Sequence, residues 1–252
     1  MKFLFFNSIL FLLAFNSRAQ IEIGGDENTQ KKETKDSKIK EPKSINVIES
    51  TRVFVLSNWS RTNRYLTPNG SLFGDSLGTR KDEIYLNKWS YSIGIQSPIS
   101  EHFFWDGGLA YMRNGESYSY VDPASDSTYS YQTNYSYFGM PVRANFVVGK
   151  LIRFYAGVGL VPQMFTGYRQ DRYWSTNSNT TGSEKFTTKS GYNSFVLSGI
   201  GNVGAMIDFQ NGWQLLVSPE LKWQFNSSML KQDAYIHKAR CYGISFGLVR
   251  NL

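Results

Sequence analysis

The sequence predicts an all-β protein: an eight-stranded antiparallel up-and-down transmembrane β-barrel. Three observations carry this. After Ser50 the large apolar residues recur at every second position, with no helical period. The links between these stretches alternate between short and long. Through the middle of the stretches the apolar face carries no charge, while the opposite face is small and polar.

The chain has 252 residues, 16% of them aromatic and only 19% charged. It opens with "MKFLFFNSILFLLAFNSRAQ". Lys2, the apolar run Phe3 to Phe15 and the small-x-small step Ser17-Arg18-Ala19 read as a signal peptide over residues 1–19, cleaved on export. That run is too short to span a bilayer as a helix, which takes about 20 residues. No later stretch approaches that length, so a membrane protein built from this chain must cross with strands. Residues 20–50 carry dense mixed charge and no aromatics, and read as a flexible periplasmic tail.

The barrel is expected over residues 51–252. Its predicted strands are Thr51–Ser60, Ile84–Ser97, His102–Asn114, Tyr135–Gly149, Arg153–Tyr168, Gly191–Phe209, Gly212–Asn226 and Ile236–Leu252. Ser97–Glu101, Gly149–Ile152 and Gln210–Gly212 are tight links, and Asn211-Gly212 is a strong hairpin signal. The other links are long and polar. Short turns on one rim and long loops on the other match outer-membrane barrels, with turns periplasmic and loops extracellular. An even strand number then puts the tail and the C-terminus on the periplasmic side.

Which face looks outward is settled by charge. "GWQLLVSPELKWQF", Gly212 to Phe225, places Trp213, Leu215, Val217, Leu221, Trp223 and Phe225 on one side. A water-facing exterior should carry Lys and Glu on every strand, and the opposite face does not. A narrow bore wants small residues and a few paired charges. The apolar face is therefore the outside. Trp213 and Trp223 lie ten residues apart on it, about 25 Å vertically at a tilt near 40°, the height of an apolar band between aromatic girdles. Trp105 joins them as a girdle residue. The strand Arg153–Tyr168 is assigned by its larger side chains, with Phe154, Val158 and Leu160 outward.

"YSYFGMPVRANFVVGKLIRFYAGVGL", Tyr135 to Leu160, and the closing "YGISFGLVRNL" resemble the outer-membrane β-barrel domain family of small OmpX-like and PorT-like barrels. The resemblance covers about Thr51 to Leu252 and implies the same fold and a bacterial outer-membrane location. Many chains of the family end in an aromatic residue, whereas this one ends in Leu252.

The bore should hold Asp106, Arg143, Glu220 and Lys222. An eight-stranded barrel leaves room only for side chains, so these four read as a structural ion-pair network rather than a gated proton or ion path. Catalysis on lipid A would need a base beside a nucleophile. The two histidines, His102 and His237, fall near opposite rims. His237 has Ser227, Ser228 and Asp233 nearby in sequence, but no recognised motif, so no catalytic residue is assigned and no enzyme activity is expected. One Cys, Cys241, excludes an internal disulfide, and no metal or cofactor site is indicated.

The long loops are rich in Tyr, Ser and Asn, a composition favoured in binding surfaces. Tyr118, Tyr120, Tyr129, Tyr131, Arg172, Tyr173 and Trp174 are the candidates there. After Ser50 the chain holds 19 basic and 13 acidic residues. Outer-membrane lipids and lipopolysaccharide fit that balance better than nucleic acid, since no basic stripe is clustered. The expected role is structural or surface-interacting through the loops, with a protein partner at the loops or the tail. The alternatives are the anchor of a PorT-like secretion machinery and a lipid A-modifying enzyme.

Overall fold

The structure, a computed structural model, describes residues 50–68, 83–124, 127–176, 180–231 and 235–252. The signal peptide, the charged tail up to residue 49, part of the first long loop (69–82) and Asp233 lie outside the described residues.

Ten strand segments follow in order: β1 Arg52–Pro68, β2 Glu83–Ser100, β3 Phe103–Val121, β4 Thr128–Gly139, β5 Val142–Val148, β6 Ile152–Ser175, β7 Thr181–Thr188, β8 Phe195–Asp208, β9 Trp213–Gln224 and β10 Tyr235–Asn251. All pairings are antiparallel, and β1 closes the sheet on β10 from Arg52↔Asn251 to Pro68↔Tyr235. β4 and β5 are halves of one barrel strand. They flank Met140-Pro141, and both keep register with β6, as in Gly139↔Gln163 and Val142↔Leu160. β7 and β8 both pair with β6 and share another position in the ring. The ring therefore has eight strands.

Three tight turns share one rim with both ends of the barrel. Asn211 (φ 67°) and Gly212 (φ 75°) take the left-handed conformations that an Asn-Gly hairpin needs. Thr51 O accepts the Leu252 N–H at 3.1 Å on this termini rim.

Alternation decides the two faces. In β5 exposed and buried residues alternate at every position. In β6 Val158 is 67% exposed and Tyr155 only 6%. The outward set includes Val55, Trp59, Trp89, Ile93, Leu109, Phe138, Leu221, Ile244 and Phe246, an apolar belt around the cylinder. Only hydrocarbon solvates such a belt without penalty, so the barrel is a transmembrane one. Towards the loop rim the outward face turns polar at Arg61, Arg113, Ser136 and Arg240, which bounds the belt.

Two expectations need correction. The bore is not uniformly small and polar. Phe54, Leu56, Phe104, Val147, Tyr155, Met206, Leu216 and Val249 fill its termini end, and Met112, Tyr135, Tyr137, Val161, Val196 and Ile200 fill its loop end. The glycines of the inner face are sockets for these rings. A Cβ on Gly94 would sit 2.6 Å from the Phe54 ring, and one on Gly204 would sit 2.8 Å from the Tyr155 ring. The strands also run well past the predicted ends. β1 reaches Pro68, β3 reaches Val121, β4 starts at Thr128, β6 reaches Ser175, and β7 occupies a segment expected as loop. The β3–β4 ladder continues unbroken from Ala110↔Gly139 to Val121↔Thr128. Backbone pairing does not stop where lipid stops, and the Tyr-Ser alternation there suits a sheet wetted by water.

Candidate functional site

Asp106, Arg143, Glu220 and Lys222 meet in the middle of the bore, between the two apolar clusters. β3, β5 and β9 carry them on inward positions, set by period two. Arg143 donates Nε to Asp106 Oδ1 at 2.7 Å and Nη1 to Glu220 Oε2 at 3.2 Å. Lys222 Nζ stands 3.1 Å from Glu220 Oε1. Asn145 donates to Asp106 Oδ2 at 2.7 Å, and Ser245 donates to Glu220 Oε2 at 3.2 Å. Two cations offset two carboxylates, each with neutral hydrogen-bond partners, which is what a desolvated site requires.

A second polar cluster lies above the belt. Arg64 forks onto Glu83, with Nε to Oε2 at 2.9 Å, and reaches Glu116 Oε1 at 3.6 Å. Tyr131 donates to Glu83 at 3.1 Å, and Tyr135 donates to Glu116 at 3.0 Å. Burial pushes the Glu116 carboxyl up to about 7, against the nearby Arg64 charge. His237 lies beside this cluster with its ring 4.9 Å from Tyr135. It is fully buried rather than exposed at a rim, and burial pushes its imidazole down to about 3. Ser227 and Ser228 hydrogen-bond its backbone: His237 N–H donates to Ser227 Oγ, and its carbonyl accepts the Ser228 N–H. His102 sits in the β2–β3 turn on the opposite rim, its ring against Phe146. Sequence reasoning missed the Arg64–Glu83–Glu116 cluster because it put Arg64 and Glu83 in a loop. The signal was the continued alternation beyond Ser60.

The loop candidates stand on strands, in a four-stranded extension of β3, β4, β6 and β7 above the belt. Register pairs Tyr118 with Tyr131, Tyr120 with Tyr129, Tyr131 with Arg172 and Tyr129 with Trp174. These six residues therefore share one face, the one continuous with the bore. Tyr173 is opposite Ser130 and takes the other face. Tyr118 stacks on Tyr131 with ring centroids 5.2 Å apart. Arg172 lies 5.8 Å from the centre of the Phe186 ring and pairs with Glu184 at 3.5 Å. Tyr120, Tyr129 and Trp174 stay well exposed.

Of the girdle candidates, Trp105 and Trp213 lie towards the termini rim and Trp223 towards the loop rim. Arg250 stacks over Trp213 at 5.1 Å. Trp59 and Trp89, directly paired across β1 and β2, join the loop-side girdle.

No family profile and no curated protein sequence matches the chain. Among solved structures it is similar to Neisserial surface protein A, at TM-score 0.43 and 9% identity over 80% of this chain and 97% of that one. It is also similar to OprG from Pseudomonas aeruginosa, at TM-score 0.42 and 7% identity over 82% and 99%. A third is Ail, the attachment invasion locus protein of Yersinia pestis, at TM-score 0.34 and 9% identity over 80% and 99%.

Proposed function

We propose that this chain is an integral outer-membrane barrel, exported by a cleaved signal peptide, that makes surface contacts through the aromatic face of its extension. The carrying observation is the single face shared by Tyr118, Tyr120, Tyr129, Tyr131, Arg172 and Trp174, outside the belt and partly exposed. Tyrosine and tryptophan give large contact area for little side-chain entropy, and Ser and Thr between them supply adaptable hydrogen bonds. The plugged bore and paired lumen charges suit an anchor better than a channel. A lipid-modifying role is disfavoured by His237, which is buried behind Tyr135 and away from the lipid face.

The test uses the folded protein in nanodiscs on glycan and peptide arrays. Changing Tyr120, Tyr129 and Trp174 together to Ser should reduce array binding at least tenfold while the gel shift on boiling persists. Unaltered binding by the triple variant, or a wild type that binds nothing on either array, refutes the reading.

A further inference from the structure

We propose that Arg61, Lys238 and Arg240 form a binding site for the phosphomonoesters of a phosphorylated glycolipid headgroup, in the leaflet on the loop side. The three cations lie on the exterior of β1 and β10, where Arg61 and Arg240 are exposed and the neighbours Thr62, Ala239 and Cys241 point inward. Register places Arg61 opposite Tyr242, Asn63 opposite Arg240 and Tyr65 opposite Lys238. Cross-strand and diagonal neighbours at these spacings put the three side chains within a patch about 10–15 Å across.

Depth selects the ligand's location. One outward step down from Arg61 is Trp59, and below Arg240 come Tyr242 and Ile244, all on the apolar belt. The cations thus stand at the height of lipid headgroups. Among the described residues, Arg64, Arg143, Arg153, Arg169 and Arg172 each pair with a carboxylate, but none of Arg61, Lys238 or Arg240 does. Arg61 lies 4.5 Å from the centre of the Tyr85 ring and Arg240 lies 5.2 Å from that of Tyr65. Stacking fixes each guanidinium by its face and leaves the N–H edge for a planar bidentate acceptor.

Charge count selects the class. A glycerophospholipid phosphodiester brings one negative charge, too little for three neighbouring cations. A headgroup with two phosphomonoesters brings enough, and Asn63 and Asn87 beside the patch supply neutral donors to sugar oxygens.

The experiment embeds the full-length protein in phosphatidylcholine nanodiscs and titrates diphosphoryl lipid A, its dephosphorylated form and phosphatidylglycerol. Bound lipid is counted by native mass spectrometry, and emission from Trp59 and Trp89 gives a second readout. Removing the phosphates should weaken binding at least tenfold. So should the triple variant Arg61→Gln, Lys238→Gln, Arg240→Gln. Arg250→Gln, which removes a stacked arginine from the opposite rim, should leave binding unchanged. If the triple variant does not fold by gel shift, the single variants Arg61→Gln and Arg240→Gln are read instead, each with an expected loss of at least threefold. Wild-type affinity in the variants, or phosphatidylglycerol binding as tightly as diphosphoryl lipid A, overturns the proposal.

Discussion

Arg143 is the residue on which the middle of the bore depends. It bonds Asp106 and Glu220 at once, and among the described residues only Asn145 otherwise bonds Asp106. Arg143→Met leaves Asp106 buried without a cation, which costs roughly 3–5 kcal/mol. Urea unfolding in detergent should show that loss, and adding Asp106→Asn should recover part of it. A second residue, Glu116, ties stability to pH. Its folded carboxyl titrates at about 7 against 4.5 when unperturbed, so the folded state binds the proton more tightly. That contribution is full below pH 4.5 and is lost as pH rises through 7, on the order of 3 kcal/mol. His237 works the other way, losing stability as pH falls below 6.5. The difference between wild type and Glu116→Gln isolates the carboxyl: the variant should hold its urea midpoint better from pH 5 to 8. Parallel pH curves for the two proteins would rule out a protonated Glu116.

At the scale of strands, tryptophans and glycines work as pairs. The Trp223 ring covers Gly199 on the neighbouring strand, so that a Cβ there would lie 2.5 Å from the indole, and Trp174 covers Gly182 at 2.3 Å. Each glycine gives a large ring a flat seat on the sheet. Gly199→Val should lift Trp223 and cost about 1–3 kcal/mol by overpacking, seen as a shift in tryptophan emission and a lower unfolding midpoint. Proline is accommodated similarly. Pro219 faces Val203 without an N–H, and the Val203 carbonyl accepts from Ser218 Oγ at 2.8 Å instead. Ser218→Ala leaves that carbonyl unmet in a dry setting and should cost about 1–3 kcal/mol. The strands themselves were legible because period two and a face free of charge through its middle are local signals. Their far ends were not. Tyr118–Val121 and Thr128–Tyr131 have loop-like composition, and only their ladder across β3 and β4 identifies them as sheet. The lumen quartet was legible because period two puts its four charges on the face opposite the large apolar residues. The large rings in the bore were not, since their glycine sockets lie on strands distant in sequence.

The whole molecule is a cylinder sealed at three levels. The Phe54–Phe104–Tyr155 cluster closes the termini end, the Arg143 quartet holds the middle, and the Tyr135–Tyr137 cluster closes the loop end. Eight strands give a bore that side chains can fill completely, and here rings from some strands occupy sockets on others. An ion crossing it would have to displace aromatic side chains at both ends and break a neutral network between them. Breaking only one layer should therefore not open a path. In planar bilayers the wild type should conduct at the level of the bare membrane, and so should a variant with Tyr137→Ala alone, because Phe54, Phe104 and Tyr155 still close the opposite end. Opening Phe104 and Tyr137 together to Ala while loosening the middle with Arg143→Ala should raise the current, provided the gel shift on boiling shows the barrel intact. Steady ohmic conductance in the wild type would mean that the rings are not the seal, and the layered account of the bore would have to be abandoned.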